Sequence, residues 1–220
     1  MKRYFITGTD TDCGKTYATL QLLAYLNDHG ALTLAVKPIA TGCEDKEGEL
    51  INSDAKLLSL ACNLHHTEIN PWRFKPPVSP HLVNDSITTK DIAEYCFSEA
   101  FSHVDTLLIE GAGGLMVPLN NHETWVDLLK LTNIPVILIV GIKLGCLNHA
   151  LLTETALQTY KIRCAGWIAN CIDPNMMMVY ENIHTLKRKM ESPLIARIDF
   201  NGTLLPKAAF NRLMGVQYEA

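Results

Sequence analysis

The stretch that decides the fold is Gly8-Thr9-Asp10-Thr11-Asp12-Cys13-Gly14-Lys15-Thr16. Apolar residues 4–7 precede it and predict a buried strand, and a helical pattern at about 14–29 follows it before Gly30. The stretch resembles the phosphate-binding pattern Gly-x-x-x-x-Gly-Lys-[Ser/Thr], with one extra residue between the glycines. Such a turn aims successive backbone N–H groups at one point, where the helix dipole adds about half a positive charge. A nucleotide site is therefore predicted, whereas Gly-Lys-Thr alone would also fit an ordinary strand–helix corner.

Individual roles in the loop follow from the chemistry of phosphate. Gly14 allows the backbone to approach the phosphates closely, Lys15 reaches the outer phosphates, and the Thr16 hydroxyl is suited to ligate Mg²⁺. Two acids, Asp10 and Asp12, are unusual in a loop that binds anions. Each could contact Mg²⁺ or a cationic substrate, or simply cap the turn.

The rest of the chain alternates short apolar runs with amphipathic stretches, the pattern of a parallel sheet covered by helices. We predict further helices at 53–61 (with Ser53 as N-cap), 89–102, 147–160 and 180–189, and an extended loop at the proline-rich residues 69–80. Further strands are predicted at 32–36, 106–109, 136–140 and 165–169, with the last at 194–198. The expected fold is one doubly wound α/β domain over residues 1–220, with a mostly parallel sheet and helices on both faces.

Composition narrows the classes of function. The net charge of −4 and a single dense basic cluster, residues 187–189, argue against a nucleic-acid partner. Seven scattered cysteines without a Cys-x-x-Cys pair fit neither a disulfide framework nor a zinc site. The N-terminus does not read as a signal peptide, and the longest apolar run, residues 135–142, is far below the ~20 residues of a membrane span. A cytoplasmic protein without membrane partners is expected.

Charged residues stand at the ends of the predicted strands. Glu110 directly follows the apolar run 106–109, and because a charge there is costly unless paired, it predicts a Mg²⁺ ligand or a salt bridge. Asp54 is either a second ligand or a charge at a helix N-terminus. Lys37 ends the second strand, where it could hold a transferring phosphate or carry a surface-exposed head.

Two loops beyond these strands are further candidates. Thr41 is a substrate hydroxyl or an ordinary loop residue. Residues 141–149 repeat the order of strand, glycine turn and helix, so this helix N-terminus could bind a second anion such as a substrate carboxylate, or be capped and nothing more.

Taken together, eight blocks of the chain resemble the dethiobiotin synthetase family of the P-loop NTPase superfamily. They occur in the family's order and cover most of the chain up to about residue 171: residues 4–16, 37–42, 52–55, 70–71, 79–81, 110–114, 140–149 and 165–170. Near the adenine, members of the family often carry Ile-Pro, and this chain has Ile198-Asp199-Phe200 instead.

The resemblance implies a cyclo-ligase of biotin biosynthesis that depends on ATP and Mg²⁺. Its substrate would be 7,8-diaminononanoate, one amine of which takes up CO₂ to form a carbamate. ATP phosphorylates the carbamate, and the second amine then attacks the carbonyl, expels phosphate and closes a cyclic urea. No nucleophilic Ser, Cys or His is required.

The resemblance also assigns residues. Lys15 and Lys37 would be catalytic, and Thr16, Asp54 and Glu110 would hold Mg²⁺. The nucleotide would contact those loop and acidic residues together with Asp12, Cys13, Gly14, Gly111, Ala112, Gly113, Asn170 and Cys171. The substrate would contact Thr41, where the family commonly has serine, and its carboxylate would lie on Gly145, Cys146, Leu147 and Asn148 of the partner subunit in a homodimer.

Two other functions compete with this one. An amidating ATP-dependent ligase would need a glutamine-hydrolysing domain, for which this chain has no room. A partitioning ATPase switch would carry a second lysine early in the phosphate loop, where this chain has Asp10.

Overall fold

The computed structural model has a central sheet flanked by helices. It describes residues 1–215, and for residues 66 and 67 it describes the backbone only. The strands in these residues are β1 (Lys2–Gly8), β2 (Thr33–Val36), β3 (Ile39–Ala40), β4 (Glu44–Lys46), β5 (Glu49–Ile51), β6 (Trp72–Arg73), β7 (Thr106–Gly114), β8 (Val136–Ile142), β9 (Cys164–Cys171), β10 (Leu194–Ile198) and β11 (Leu204–Pro206). The helices are α1 (Lys15–Asp28), α2 (Ser53–Cys62), α3 (His66–Ile69), α4 (Thr89–Cys96), α5 (Trp125–Thr132), α6 (Cys146–Thr159), α7 (Val179–Lys189) and α8 (Ala208–Met214).

The large sheet of the described residues has seven strands in the order β11-β10-β9-β8-β1-β7-β2. All neighbours in it are parallel except β10 and β11. The predicted class, a mostly parallel α/β sheet, is confirmed. The predicted domain runs to residue 220, of which residues 216–220 lie outside the described part.

Both faces of the sheet are buried, as the run 136–140, apolar at every position, predicts for its strand. Alternate residues of β1 face opposite layers, with Phe5 in the cluster under α4, α5, α6 and α7, and Tyr4 and Ile6 in the cluster under α1, α2 and α8. Helices on both faces are thus confirmed. All seven cysteines are free thiols, and none of the described helices is long and apolar enough to span a membrane.

The topology gathers the loops that matter for function. β1 lies between β7 and β8, and β2 pairs with β7 on its other side. Since parallel strands end at a common edge, the residues that follow β1, β2 and β7 meet there, and those that follow β8, β9 and β10 extend the same edge.

Several predicted boundaries are wrong. The N-cap of α2 is Asn52 and not Ser53, because the Asn52 Oδ1 reaches the N–H of Ala55 at 3.1 Å. The helix predicted at 89–102 stops at Cys96 and a separate 3₁₀ turn follows, capped by the Ser98 hydroxyl. Leu194–Ile198 is not the last strand, since β11 pairs with it in a hairpin.

Other elements were missed or misread. The glycine-rich run after residue 109 is strand and not turn, because β7 continues to Gly114 and pairs there with Gly8. Within the predicted loop at 69–80, β6 pairs with β3, and residues 80–82 form a 3₁₀ turn. The hairpin β4–β5, α5 and α8 were not predicted.

β8 is the middle strand of the large sheet, and its buried side chains contribute to the stability of the fold. Leu138 is fully buried there, so we expect Leu138→Ala to lower the free energy of unfolding by about 3 kcal/mol through lost burial and a cavity. Urea denaturation measures this. Leu60→Ala on α2, where the side chain is 70% exposed, is the control and should change it by less than about 0.5 kcal/mol. Equal effects of the two variants would contradict this account of the core.

Candidate active site

The phosphate loop joins β1 to α1 in a strained backbone conformation. Gly14 adopts φ +78° at the N-cap of α1, and a Cβ there would clash with Asn170 Nδ2, so glycine is required. Asp12 also has positive φ, at +55°. Lys15 is buried and its Nζ donates to the Asp10 carbonyl at 3.0 Å. The lysine thus folds back across its own loop.

A buried ion-pair network lies beside the loop. Lys37 Nζ lies 2.5 Å from Asp54 Oδ2 and 2.9 Å from Glu110 Oε1. The Thr16 hydroxyl donates to the same Glu110 oxygen at 2.6 Å. The structure therefore brings together residues from α1, from α2, from the residue that follows β2 and from the middle of β7. The exposed alternative for Lys37 is wrong.

Charges within this network offset the cost of burial. Burial by itself lowers the pKa of Lys37, but the carboxylates of Glu110 and Asp54 outweigh it, so the net pKa is raised. For Asp54, burial raises the pKa, and the Lys37 ammonium, helped by the Thr16 hydroxyl, lowers it overall. Lys37 therefore stays charged at neutral pH.

A cavity of about 420 Å³ opens over this network. Its wall combines loop residues, both lysines and the substrate hydroxyl predicted at Thr41: Thr11, Asp12, Gly14, Lys15, Thr16, Tyr17, Leu20, Lys37, Ala40, Thr41, Asn52, Asp54, Leu57, Ala112 and Gly113. Glu110 lies below this surface with its side chain wholly buried. Most of the predicted phosphate and metal residues thus share one site.

The oxygen atoms here fit Mg²⁺. Glu110 Oε2 is buried and has no hydrogen-bond partner among the described residues, and Asp54 and Thr16 supply further oxygens beside it. No group of three or more His, Cys, Asp or Glu side chains in the described part could hold a metal. A Mg²⁺ ion would therefore need the Thr16 hydroxyl and an anionic ligand as well, which is how Mg²⁺ commonly binds beside phosphates.

A second, shallower cavity of about 140 Å³ adjoins the loop at Gly14. It is lined by Gly14, Tyr17, Asn170, Cys171, Ile172, Asp199, Phe200 and Asn201. Asn170 Nδ2 donates to the Cys13 carbonyl at 3.0 Å, so part of this amide fixes the phosphate loop. Burial, followed by the nearby Asp199 carboxylate, raises the pKa of the Cys171 thiol.

Some predicted residues lie elsewhere. Gly111 packs behind the site, where a Cβ would come within 2.6 Å of the Phe5 ring. Neither cavity is lined by Gly145, Cys146, Leu147 or Asn148, which begin α6. Lys143, just before them, reaches Asp10 Oδ2 at 3.3 Å and so connects this turn to the phosphate loop.

Sequence reasoning missed several residues of the main cavity. Thr11 lies inside the phosphate loop, and its hydroxyl, a polar group in a predicted nucleotide site, could have indicated a contact. Asn52 caps α2 and its Nδ2 also donates to the Thr41 carbonyl at 3.2 Å, which an Asn before a helical pattern could have suggested. Tyr17 and Leu57 carry no sequence signal, since their position depends on the packing of α1 beside α2.

Comparison with solved structures places this architecture in a class. The Thermotoga maritima cell division protein FtsY superposes with a TM-score of 0.59 at 14% identity, over 97% of this chain and 68% of that one. The septum site-determining protein MinD from Pyrococcus horikoshii OT3, solved with Mg-ADP, gives 0.52 at 18%, over 90% and 81%. Residues 2–208 match a family model described as an AAA domain. The fold and site define an α/β protein of the P-loop NTPase superfamily.

Proteins of similar sequence indicate the family within this superfamily. An ATP-dependent dethiobiotin synthetase of Legionella pneumophila (strain Paris) is 54% identical over 208 residues, which is 93% of this chain and 96% of that protein. One from Pseudoalteromonas translucida (strain TAC 125) is 42% identical over 203 residues, 89% of each chain. The chain belongs to the dethiobiotin synthetase family.

The ion-pair network predicts a strong energetic coupling. Lys37→Met should lower the free energy of unfolding by about 3 kcal/mol, because it leaves the buried Glu110 carboxylate without its cation. Adding Glu110→Gln removes that charge and should restore most of the loss. Urea denaturation of both single variants and the double variant measures the coupling.

Lys143→Met is the matched control for this cycle. Its ion pair with Asp10 is partly exposed, so the loss should stay below about 1 kcal/mol. If the effects of Lys37→Met and Glu110→Gln simply add, the two side chains do not depend on each other and the network is misassigned.

Proposed function

We propose that this protein joins CO₂ to 7,8-diaminononanoate at the expense of ATP, and forms dethiobiotin, ADP and phosphate. As a member of its family, the chain is an ATP-dependent ligase of biotin biosynthesis. The observation that carries the proposal for the site is the buried ammonium of Lys37, held between Asp54 and Glu110 in the cavity that begins at the phosphate loop.

The reaction runs in three steps. One amine of the diamine adds to CO₂ and loses a proton, which gives a carbamate. A carbamate oxygen attacks the γ-phosphorus of ATP, so that a carbamic–phosphoric anhydride forms and ADP leaves. The neighbouring amine then attacks the anhydride carbonyl, expels phosphate and closes the five-membered urea.

The positions of Lys37 and Lys15 suit phosphoryl transfer. This reaction requires that the reactants be positioned and the developing charge stabilised, and it requires no protein nucleophile. Lys37 is buried and its raised pKa keeps it charged at neutral pH, so its ammonium is available to the oxygens of the transferring phosphoryl group without reorganisation. Lys15, which now donates to the Asp10 carbonyl, reaches the outer phosphates by exchanging that acceptor for a phosphate oxygen.

The metal would be held by Thr16, Asp54 and Glu110, whose oxygens already converge beside Lys37. When bound, Mg²⁺ neutralises charge on the phosphates and orients them. One carboxylate oxygen of Glu110 accepts from Thr16 and Lys37, and the other has no partner in the described part of the chain, so Glu110 can bind the lysine and the ion together.

The other predicted residues would contact the phosphates of the nucleotide, its base, or the carbamate formed from the diamine. The backbone of Asp12, Cys13 and Gly14 just before α1 would bind phosphate oxygens, with Ala112 and Gly113 along the other wall and Gly111 packed behind them. Asn170 and Cys171 would face the base. The Thr41 hydroxyl, which lines the main cavity, would donate to the carbamate.

A homodimer would complete the site. Gly145 is the N-cap of α6 with φ +93°, and the N–H groups of Leu147 and Asn148 lie at a helix N-terminus suited to the substrate's carboxylate, whereas the Cys146 N–H already donates to the Lys143 carbonyl at 3.0 Å. Since these residues line neither cavity, we propose that they serve the substrate held by the other subunit. Leu144 and Leu152 beside them are 93% and 61% exposed and would be covered. Equilibrium sedimentation checks this, and a monomer at assay concentration would exclude it.

The proposed compartment is the cytoplasm, where seven free thiols remain reduced. Reconstitution tests the reaction. Purified protein with ATP, Mg²⁺, bicarbonate and the diamine should yield dethiobiotin by mass spectrometry, and omission of any one component should abolish it. ATP hydrolysis that does not depend on the diamine would instead indicate an ATPase switch.

The metal assignment gives a sharper prediction. Glu110→Gln keeps the shape of the side chain but removes the charge, so we expect the Mg²⁺ concentration for half-maximal turnover to rise by about tenfold or more. Glu94→Gln, an exposed glutamate on α4, is the control and should leave the titration unchanged. The same midpoint in Glu110→Gln and wild type would remove Glu110 from the metal site.

A further inference from the structure

The hairpin between β10 and β11 places an acid in the second cavity. Asp199 follows β10 directly, and β10 runs parallel to β9, whose last residues are Asn170 and Cys171. Asp199, Asn170 and Gly14 of the phosphate loop therefore line one cavity. A nucleotide whose phosphates lie on that loop has its base within reach of this cavity.

Arg197 holds the Asp199 carboxylate in place. Its Nη2 donates to Asp199 Oδ2 at 3.0 Å, and its guanidinium lies over the Tyr180 ring, 5.1 Å from the centroid. The Nε atom is also 3.0 Å from Asp199 Oδ1, but this N–H has no acceptor among the described residues and is not aimed at the carboxylate. Only one of the two carboxylate oxygens is therefore hydrogen-bonded to Arg197.

The other carboxylate oxygen remains free to accept a hydrogen bond. Among the described residues no N–H or O–H group donates to Asp199 Oδ1, and the side chain is 46% exposed. Two exposed aromatic rings, Phe200 and Tyr17, line the same cavity, and the Tyr17 hydroxyl donates to the Gly202 carbonyl at 2.7 Å. Apolar ring surface and a positioned acceptor are what a heterocyclic base requires.

A carboxylate can only accept hydrogen bonds, so it distinguishes bases by their donors. The 6-amino group of adenine can donate to Asp199, whereas a 6-keto oxygen would face a negative charge. The purine without a 6-substituent offers neither. The ion pair of Arg197 and Asp199 is partly exposed and so contributes little to the stability of the fold. The carboxylate is also accessible to a ligand in the cavity.

We propose that Asp199, oriented by Arg197, selects the nucleotide base by accepting a hydrogen bond from its exocyclic amino group. This inference rests on the proposed function in one respect, that a nucleoside triphosphate binds with its phosphates on the loop at Gly14. The inference adds that the Asp199 carboxylate determines which base binds.

Binding titrations test the proposal without turnover. Isothermal calorimetry in the presence of Mg²⁺ compares ATP, ITP and purine riboside 5′-triphosphate, the last of which lacks the 6-amino group. Wild type should bind ATP about tenfold more tightly than purine riboside triphosphate, as expected for one hydrogen bond to a charged acceptor. Asp199→Ala should weaken ATP alone and so abolish the difference.

Two further variants sharpen the result. Asp199→Asn retains an acceptor for Arg197 and adds an N–H donor, so its binding of ITP relative to ATP should rise. Glu191→Gln, an exposed acid in the loop before β10, removes the same charge outside the cavity and should keep the wild-type preference. If Asp199→Ala failed to fold, the Asn variant alone would decide the matter by its ITP to ATP ratio.

The outcomes separate this proposal from the reaction. An unchanged base preference in Asp199→Ala or Asp199→Asn, or equal weakening of all three nucleotides, would overturn the role of Asp199. Normal ATP selectivity without dethiobiotin formation would overturn only the proposed reaction. If no triphosphate bound, both would fail.

Discussion

The contact between Lys37 and Glu110 is the interaction on which the site depends. Glu110 is fully buried and Lys37 nearly so, and neither charge would be tolerated there without the other. The pair also fixes the geometry, because it joins the end of β2 to β7, while Thr16 and Asp54 bring α1 and α2 to the same atoms. Stability and the proposed binding of phosphate therefore depend on the same side chains.

The sheet order makes that contact possible. β7 lies between β1 and β2, so the phosphate loop after β1, Lys37 after β2 and Glu110 within β7 are neighbours in space, although 94 residues separate Thr16 from Glu110 in the sequence. The register of β1 against β7 shifts between Ile6 and Gly8, at the depth of Glu110. The acid thus lies below the cavity surface and reaches its partners from the interior of the sheet.

Sequence alone predicted the parallel sheet with helices on both faces, because this follows from local pattern. Lys15, Lys37 and Glu110 were singled out by their positions at strand and loop ends, whereas Asn170 and Cys171 were assigned only through the family resemblance. The sequence did not predict that Lys37 is buried, since its partners, Asp54 and Glu110, lie 17 and 73 residues away. The β7 extension was misread because glycines normally indicate a turn, whereas here Gly114 pairs with Gly8. α5 was missed although Thr124 and Asp127 form a capping box, a local signal that was present in the sequence.

The two ends of the proposed nucleotide site differ in how their charged side chains are held. At the phosphate end, charges are buried and mutually dependent, so a substitution there changes folding and chemistry together. At the base end, Asp199 and Arg197 form a partly exposed pair on a hairpin at the edge of the sheet, where a change of side chain costs little stability. Because Asp199 and Arg197 are free of that coupling, a substitution at the proposed base end can change nucleotide preference and leave the ion pairs of Lys37 intact.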